Sequence, residues 1–573
     1  MKKSKQLFFP LSVLFLTTFL IACTPEEIDP LADYDDSVKA TLTVNRDSYE
    51  AECDSCRFIV RIKSTYLWKI EIPEEASWLT CSDLWGDSLV NKKVYFHLEA
   101  NTTEKDRSTI VTIRSGKAKK RIVVSQRRQV RILDKGSVDV SRIYIPQELR
   151  SNDFYKSSST WYFGRSRQSE HFIVFWQDGE NWDEYGEKTT ADSPNAAFRV
   201  DIDDLLKKAE QFYQINVEEL KFAETGVGKS TLDKYKMMIM LNYQSDWLAT
   251  GAGYDNVIGA LWVSPNTCQP VGSTIAHEIG HTFQYQVYCD YLLQGGTDNS
   301  KGPGWRFGFG SNGSGGNAFW EQTAQWQSFQ PYPGEIFTNY NFQGYLDGSH
   351  LHIFHEDPRY CNYFIHWYFT HRYGIEEVAR LWKESRYPED PAETYKRIHG
   401  LTTEQLNDDL FDYARRMVTW DVDALRTRGK NYIGKHTWAF TRDGEYYKVK
   451  SSKCPESTGY NVITLSVPAA GTTVTADFKG ITSDSGYNIV KPENAGWRYG
   501  FVAYCSDGTR VYSDIFSEKE GAATIIIPGN CSRLWFVVSG APTVYERHAW
   551  DDNNANDPQW PYEVKFTGAS VKQ

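Results

Sequence analysis

Apolar and polar residues alternate with a period of two from about residue 40 to residue 128. This period places successive side chains on opposite faces of a strand, so it predicts β-structure. Turn residues separate the strong segments, which is typical of a small antiparallel sandwich. We therefore predict a β-sandwich over residues 39–128, with strands at 57–62, 67–72, 94–100, 107–113 and 121–125.

The pattern changes between about residues 140 and 430, where strand-like and helix-like segments are mixed. Residues 171–176, 234–241 and 257–263 are short apolar runs that predict buried strands, whereas residues 201–213 carry apolar positions at helical spacing. Further along, an aromatic segment at 359–373 predicts a helix that ends at Gly374. These features predict a central α/β domain over residues 140–430.

Strand-like segments return in the last part of the chain. They are separated by turns rich in Gly, Pro and Ser, so residues 431–573 predict a second β-sandwich. The fold class that we expect is multidomain α+β, with a sandwich at each end of an α/β domain. The predicted C-terminal strands are 461–467, 473–478, 499–504, 524–527 and 534–538.

The first 22 residues have the pattern of a bacterial signal peptide rather than of a folded element. Three lysines precede an apolar stretch at 7–22, and Leu20, Ile21 and Ala22 lead into Cys23 as in a lipobox. We predict that Cys23 is lipidated and that residues 23–38 form a tether. The alternative is an ordinary secretory signal with an incidental cysteine. Lipidation would make the mature chain an outer-membrane lipoprotein, exposed at the cell surface and held to the membrane only by its anchor.

Composition narrows the classes of partner. The formal net charge of −11 leaves no basic surface of the kind that binds nucleic acid, so we expect no nucleic-acid partner. Aromatic residues make up 15% of the chain, which fits either β-rich cores or surfaces that bind glycans and peptides.

One motif carries strong chemistry: His277, Glu278 and His281 form an HExxH sequence. Two histidines four residues apart on a helix point the same way and can bind one metal ion. The intervening glutamate can take a proton from a zinc-bound water. The apolar segment 259–263 precedes this helix, and we expect it to form the sheet edge that pairs with an extended peptide substrate. A chance match with hydrogen-bonded core histidines is the alternative.

The third metal ligand decides the class of peptidase. A metzincin needs Gly and His where this chain has Gln284 and Val287, and an aspzincin needs Asp where it has Ser300. A gluzincin needs a glutamate on a later helix, and Glu321 fits that place. We therefore predict Glu321 as the third Zn²⁺ ligand, with Glu335 and Glu356 as its competitors.

Three other features bear on this site. A glycine-rich stretch at 295–317 predicts a long loop, which we expect to form a wall or lid of the active site. A proton donor to the tetrahedral intermediate could come from any of four residues in the aromatic segment. The histidines at 350, 352 and 355 could bind a second metal, but we favour a solvated loop. The four candidate donors are Tyr360, Tyr363, His366 and Tyr368.

Two resemblances to known families follow from these motifs. Tyr66 to Ile70, Ala76 to Leu79 and Asp106 to Ile110 resemble the BACON domain, an immunoglobulin-like module of Bacteroidetes surface proteins, over residues 38–128. That resemblance implies either carbohydrate binding or a spacer. Residues 150–570 resemble exported zincin-like lipoproteins, and the motif is distantly similar to enhancin-like metallopeptidases that act on mucins. The gap from His281 to Glu321 is longer than is usual in that group.

Taken together, the sequence predicts a lipid-anchored zinc metallopeptidase with a zincin-like central domain. It would hydrolyse peptide bonds in proteins or glycoproteins with a zinc-bound water activated by Glu278. His277, His281 and Glu321 would hold the zinc. The alternative is a surface lipoprotein that binds glycans or glycoproteins and whose zincin domain is degenerate.

Overall fold

The computed structural model describes residues 34–87, 91–103, 105–134, 137–177, 196–305, 318–551 and 553–572. These residues belong to two compact units, which divide between Val130 and Arg131. The predicted signal peptide and Cys23 lie outside the described residues. Among the helices within the described ranges, none is long and apolar enough to cross a membrane.

The first unit is a β-sandwich, as the alternation over residues 40–128 predicts. Its two sheets have the strand orders β1-β3-β7-β5 and β2-β9-β8-β4-β6. Side chains from both sheets meet in one core that includes the fully buried Trp68, Phe96 and Ile113. The strands are β1 (Leu42–Val44), β2 (Ser48–Ala51), β3 (Cys56–Ser64), β4 (Trp68–Glu71), β5 (Leu79–Cys81), β6 (Trp85–Gly86), β7 (Lys92–Leu98), β8 (Arg107–Ser115) and β9 (Ala118–Gln126).

The second unit begins with a five-stranded sheet of order β10-β11-β12-β14-β13. Strands β11 and β12 consist wholly of buried residues, because helices and loops cover both faces of the sheet. Strands β11, β12 and β14 are parallel, and β13 is antiparallel to β14. The strands are β10 (Ser166–Gln168), β11 (Phe172–Trp176), β12 (Met237–Leu241), β13 (Ala249–Tyr254) and β14 (Ile258–Val263).

The order of this sheet corrects one prediction. The segment 259–263 lies in β14, which is hydrogen-bonded on both sides, to β12 and to β13. It therefore cannot pair with a substrate. The edge strand next to β14 is β13, a strand of small residues that the apolar pattern did not reveal.

Helices follow the sheet and pack around it. Helix α2 lies against β13 and β14, and α3 lies against α2. The predicted helix at 359–373 begins only at Phe364, so residues 359–363 are free to form a loop. The helices are α1 (Ile202–Gln214), α2 (Ser273–Leu293), α3 (Phe319–Ser328), α4 (Asn341–Gly348), α5 (Phe364–Tyr373), α6 (Glu377–Glu384), α7 (Pro391–Ile398), α8 (Thr403–Met417) and α9 (Asp423–Gly429).

The C-terminal strands form two sheets, of order β15-β16-β23-β18-β21 and β17-β22-β19-β20. Inward-facing residues such as Phe478, Phe501 and Phe536 build the core between them. The opposite face of the second sheet joins the core of the helical region through Val462, Val537 and neighbouring residues. Residues 131–573 are therefore one compact unit, and the predicted boundary near 430 marks a change from helices to strands. The strands are β15 (Phe440–Asp443), β16 (Tyr446–Val449), β17 (Tyr460–Leu465), β18 (Thr473–Gly480), β19 (Trp497–Cys505), β20 (Arg510–Tyr512), β21 (Glu520–Ile526), β22 (Cys531–Gly540) and β23 (Tyr562–Thr567).

Candidate metal centre

Helices α2 and α3 approach closely where the HExxH residues lie. Gly280, inside the motif, allows this approach, because a Cβ at that position would lie 2.8 Å from Oε1 of Gln327 and 3.4 Å from Cα of Ala324. The sequence placed Ala324 one turn after Glu321, so a small residue faces the glycine. The close contact brings Glu321 on α3 next to the two histidines of α2.

Three potential ligand atoms converge between these helices. Oε2 of Glu321 lies 3.1 Å from Nε2 of His277 and 3.2 Å from Nε2 of His281, and the two Nε2 atoms are 3.0 Å apart. Three electron-pair donors this close repel one another unless a proton or a metal ion lies among them. Ligands about 2.1 Å from a tetrahedral zinc ion would be separated by only slightly more than these distances. Two imidazoles and one carboxylate are also a common catalytic zinc set, so the residues present fit the metal.

Glutamine side chains hold both imidazoles in orientation. Nδ1 of His277 donates to Oε1 of Gln325 at 3.1 Å, and Nδ1 of His281 donates to Oε1 of Gln284 at 3.0 Å. The Gln284 amide is itself fixed, since it donates to the backbone oxygen of Trp320 and to Gln327. With the proton on Nδ1, each ring presents the lone pair of Nε2 to the common centre.

The carboxylate of Glu321 is held on its other side by Tyr360, whose hydroxyl donates to Oε1 at 2.9 Å. Burial raises the pKa of Glu321, but the charge of His281 and hydrogen bonds from both imidazoles outweigh burial and hold it far below its usual range. Burial lowers the pKa of His281, but the Glu321 carboxylate outweighs burial and raises it to about 9. The centre therefore stabilises a positive charge placed between these side chains.

Glu278 lies beside the group of His277, His281 and Glu321. A carboxylate oxygen of Glu278 and one ring nitrogen of each histidine all lie within 4.8 Å of one another. Its side chain is almost fully buried but lines the same cavity as the histidines. A carboxylate in this place is close enough to exchange a proton with a molecule bound at the centre.

The centre opens into a cavity of about 1000 Å³. One wall is formed by β13, through residues 249–252. Trp247 and Tyr340, which are 65% and 88% exposed, also contribute to the lining. In the glycine-rich stretch, residues 303–305 line the cavity, and residues 306–317 lie outside the described residues.

Neither of the competing ligands joins the group formed by His277, His281 and Glu321. Glu335 lines the same cavity but makes no ion pair with His277 or His281, and Glu356 belongs to a second buried cluster with His355 and His548. The expectation of a solvated loop at residues 350–355 is wrong, since His352 and His355 are only 2% and 1% exposed. C-terminal residues cover this loop, which the local sequence does not reveal.

Two family models match parts of the chain. A model described as "Family of unknown function (DUF6055)" matches residues 135–573, most of the chain. The chain belongs to this family. The BACON model, described as "Putative binding domain, N-terminal", matches residues 68–127, within the sandwich where the sequence resembles that domain. DUF6055 therefore includes the whole candidate metal centre, and the BACON match lies in the first unit.

Solved structures show only weak similarity. An NMR structure of a protein from Bacteroides thetaiotaomicron is 16% identical, covers 19% of this chain and 98% of that chain, and has a TM-score of 0.12. A Bacteroides ovatus GH5 xyloglucanase in complex with a XXXG heptasaccharide is 15% identical, covers 45% of this chain and 63% of that chain, and has a TM-score of 0.17. TM-scores this low do not establish a shared overall fold. No curated protein matches the chain.

Proposed function

We propose that this DUF6055 protein is a zinc metallopeptidase with a zincin-like catalytic region. The observation that carries the proposal is the convergence of His277, His281 and Glu321 on one point, at distances of 3.0–3.2 Å, on the wall of an open cavity. A second carboxylate, that of Glu278, adds a proton acceptor at the same place. Together they supply the residues that metal-assisted hydrolysis requires.

Each residue has a distinct role in this proposal. A zinc ion bound by His277, His281 and Glu321 would act as a Lewis acid and make a water molecule acidic enough to react at neutral pH. Glu278 accepts the proton of the attacking water and delivers it to the departing amine. Tyr360 holds Glu321 and lines the cavity, and in the reaction its hydroxyl would turn from Glu321 to donate to the oxyanion.

Strand β13 provides a surface for the substrate chain. Within the described residues it pairs only with β14, so its other edge has free backbone groups, and its residues 249–252 line the cavity beside Glu278. An extended peptide can add to such an edge by backbone hydrogen bonds. This geometry supports peptides as the substrate, with protein or glycoprotein as the source.

We place the protein at the cell surface as a lipoprotein anchored through Cys23. The lipobox at 20–23 supports this, and a lipid chain would make the anchor. Cys23→Ser should release the mature protein from membranes, as measured by fractionation and by loss of palmitate labelling. A membrane-bound Cys23→Ser protein would contradict the anchor.

The alternative function is glycan or glycoprotein binding without catalysis. The exposed Trp247 and Tyr340 at the cavity favour it, because aromatic faces stack on sugar rings. A binding protein would not need Glu278. The two functions therefore differ in the effect of one substitution.

The test uses purified protein, metal analysis and a proteome-derived peptide library. We expect zinc at the centre, retained in Glu278→Gln, which should lose peptide cleavage by several orders of magnitude. Glu321→Gln should lose zinc and cleavage together. Glu335→Gln, in the same cavity, is the matched control and should keep both. Cleavage that survives Glu278→Gln, or complete absence of cleavage in the zinc-loaded protein, would overturn the proposal.

A further inference from the structure

A second cluster of ligand-type side chains lies outside the candidate metal centre. It joins three distant parts of the chain: His355 and Glu356 before α5, Glu456 before β17, and His548 and Asp557 before β23. Each of these side chains is more than nine-tenths buried. Buried groups of this kind are normally paired or coordinate metals.

Two atoms in the cluster are left without hydrogen bonds. Among the described residues, Nε2 of His355 and Oδ2 of Asp557 have no hydrogen-bond partner, although they face each other at 3.6 Å. His355 is 1% exposed and Asp557 is 4% exposed. Leaving such buried groups without a hydrogen bond destabilises the folded protein. These two atoms therefore point to a ligand between them.

Glu456 supplies a third potential metal ligand. One carboxylate oxygen each of Glu456 and Asp557 and one ring nitrogen of His355 all lie within 4.8 Å of one another. Atoms bound to one transition-metal ion at about 2.1 Å lie at most about 4.2 Å apart, so small side-chain rotations are enough to close the site. We propose that His355, Glu456 and Asp557 bind a divalent transition-metal ion at a second site.

The charges of the cluster favour a cation. Among the described residues, Glu356 and Asp557 form ion pairs only with His355 and His548, and Glu456 forms none. The closest cationic partner of these three buried carboxylates is His548, which lies 2.6 Å from Glu356 and 3.1 Å from Asp557. Its ring therefore pairs with two of the three carboxylates.

The ring of His355 can adopt the tautomer that a metal requires. Nδ1 accepts the backbone N–H of Asp357 at 3.1 Å in this structure, and Oε2 of Glu356 lies 3.7 Å away. With a metal on Nε2, the ring proton would be on Nδ1, and the ring would have to turn Nδ1 from the Asp357 N–H toward the Glu356 carboxylate. A carboxylate behind a metal-bound histidine is the usual supporting arrangement.

The cluster also has an entry path. A cavity of about 180 Å³ is lined by Glu456, His548 and Asp557, and Lys491, Glu546 and Arg547 lie at its more exposed part. This space is large enough for a hydrated ion and several waters. One imidazole and two carboxylates suit Zn²⁺ or Mn²⁺ better than Ca²⁺, which prefers oxygen ligands alone.

The test counts metal ions after removal by EDTA and reloading with Zn²⁺ or Mn²⁺. The purified mature protein should hold two equivalents, and the His277→Ala/His281→Ala protein should still hold one. Adding Asp557→Asn or Glu456→Gln to that double variant should abolish the remaining equivalent. Glu546→Gln, which changes an exposed carboxylate of the same cavity, should not.

Thermal unfolding gives a second measurement that does not depend on activity. EDTA should lower the Tm of the His277→Ala/His281→Ala protein by several degrees, because a ligand that binds only the folded state stabilises it. The same treatment should not shift the Tm of Glu456→Gln in that background. The proposal is overturned if the double variant binds no Zn²⁺ or Mn²⁺, if its one equivalent survives both Asp557→Asn and Glu456→Gln, or if the site takes only Ca²⁺. These outcomes are independent of peptidase activity at the first centre.

Discussion

Gly251 on the edge strand β13 lies directly against the backbone of Glu278 on α2. A Cβ at position 251 would be 2.1 Å from the carbonyl oxygen of Glu278 and 2.8 Å from Cβ of His281. Only glycine permits this approach. The contact sets the distance between the free strand edge and the two residues that would bind metal and move protons.

Gly251→Ala should therefore separate β13 from α2. Overpacking of this kind typically costs about 1–3 kcal/mol, and the displaced His281 should bind zinc more weakly. Chemical denaturation and zinc competition with a chelator would measure both effects. Gly529→Ala is the control, because a Cβ there would meet nothing within 4 Å. Unchanged zinc affinity in Gly251→Ala would show that the contact does not position the site.

A second prediction concerns Gln325, whose amide oxygen accepts the Nδ1 proton of His277 at 3.1 Å. Gln325→Leu removes this acceptor, so the ring is no longer held with Nε2 toward the centre. We expect zinc affinity to fall about 10–100-fold. Gln325→Glu keeps an acceptor and should retain most of the affinity. Gln330→Leu, whose amide bonds only the backbone of Trp326 in this structure, should have no effect.

The sequence predicted the strands and helices whose signals are local. The alternation around residues 107–125 predicts β8 and β9 within a few residues, because a hairpin pairs neighbouring segments. Strand β13 was missed because Ala249, Gly251 and Gly253 are small for a tertiary reason. A Cβ at Gly253 would contact Tyr285 of α2, so helix packing and not strand propensity selects these residues.

Some residues of the candidate site could likewise be predicted from local sequence, and others could not. The spacing within α2 joins His277, Glu278 and His281, and Ala324 indicated a closely packed helix around Glu321. Gln325 and Gln284 were not foreseen, since an amide becomes an orienting group only once the two helices are known to pack. The second cluster was beyond sequence analysis, because Glu356 and His548 are 192 residues apart.

Tyr360 carries the third prediction. Its hydroxyl donates to Glu321 and also faces the cavity, and burial followed by the Glu321 charge raises the pKa of Tyr360 above its usual range. It therefore remains a proton donor at neutral pH. Tyr360→Phe should lower kcat by about 10²–10³-fold while KM and zinc content change little at saturating zinc. Loss of zinc in step with activity would instead show that Tyr360 only positions Glu321.

The final prediction is a pH dependence of stability that arises from a histidine outside both clusters. His436 is buried among Tyr345, Trp420 and Tyr460, and its Nε2 lies 2.9 Å from the hydroxyl of Tyr460. The facing titratable groups are tyrosine hydroxyls, which do not stabilise an imidazolium, and burial lowers the pKa of His436 to about 3. In the unfolded chain a histidine has a pKa of about 6.5.

Between these two values the unfolded state binds one proton more than the folded state. The free energy of unfolding should therefore fall as the pH decreases from about 6.5 toward 3, with a contribution of about 1.4 kcal/mol per pH unit from this histidine. His436→Gln cannot titrate and should make the slope shallower by that amount between pH 4 and 6, as measured by urea denaturation at each pH. Tyr460→Phe is the matched control, because it removes the hydrogen bonds of this hydroxyl with His436 and Tyr345 but keeps the buried imidazole. It should lower stability by about 1 kcal/mol at every pH and leave the slope unchanged. Equal slopes for the natural protein and His436→Gln would mean that His436 is not neutral and buried in the folded protein.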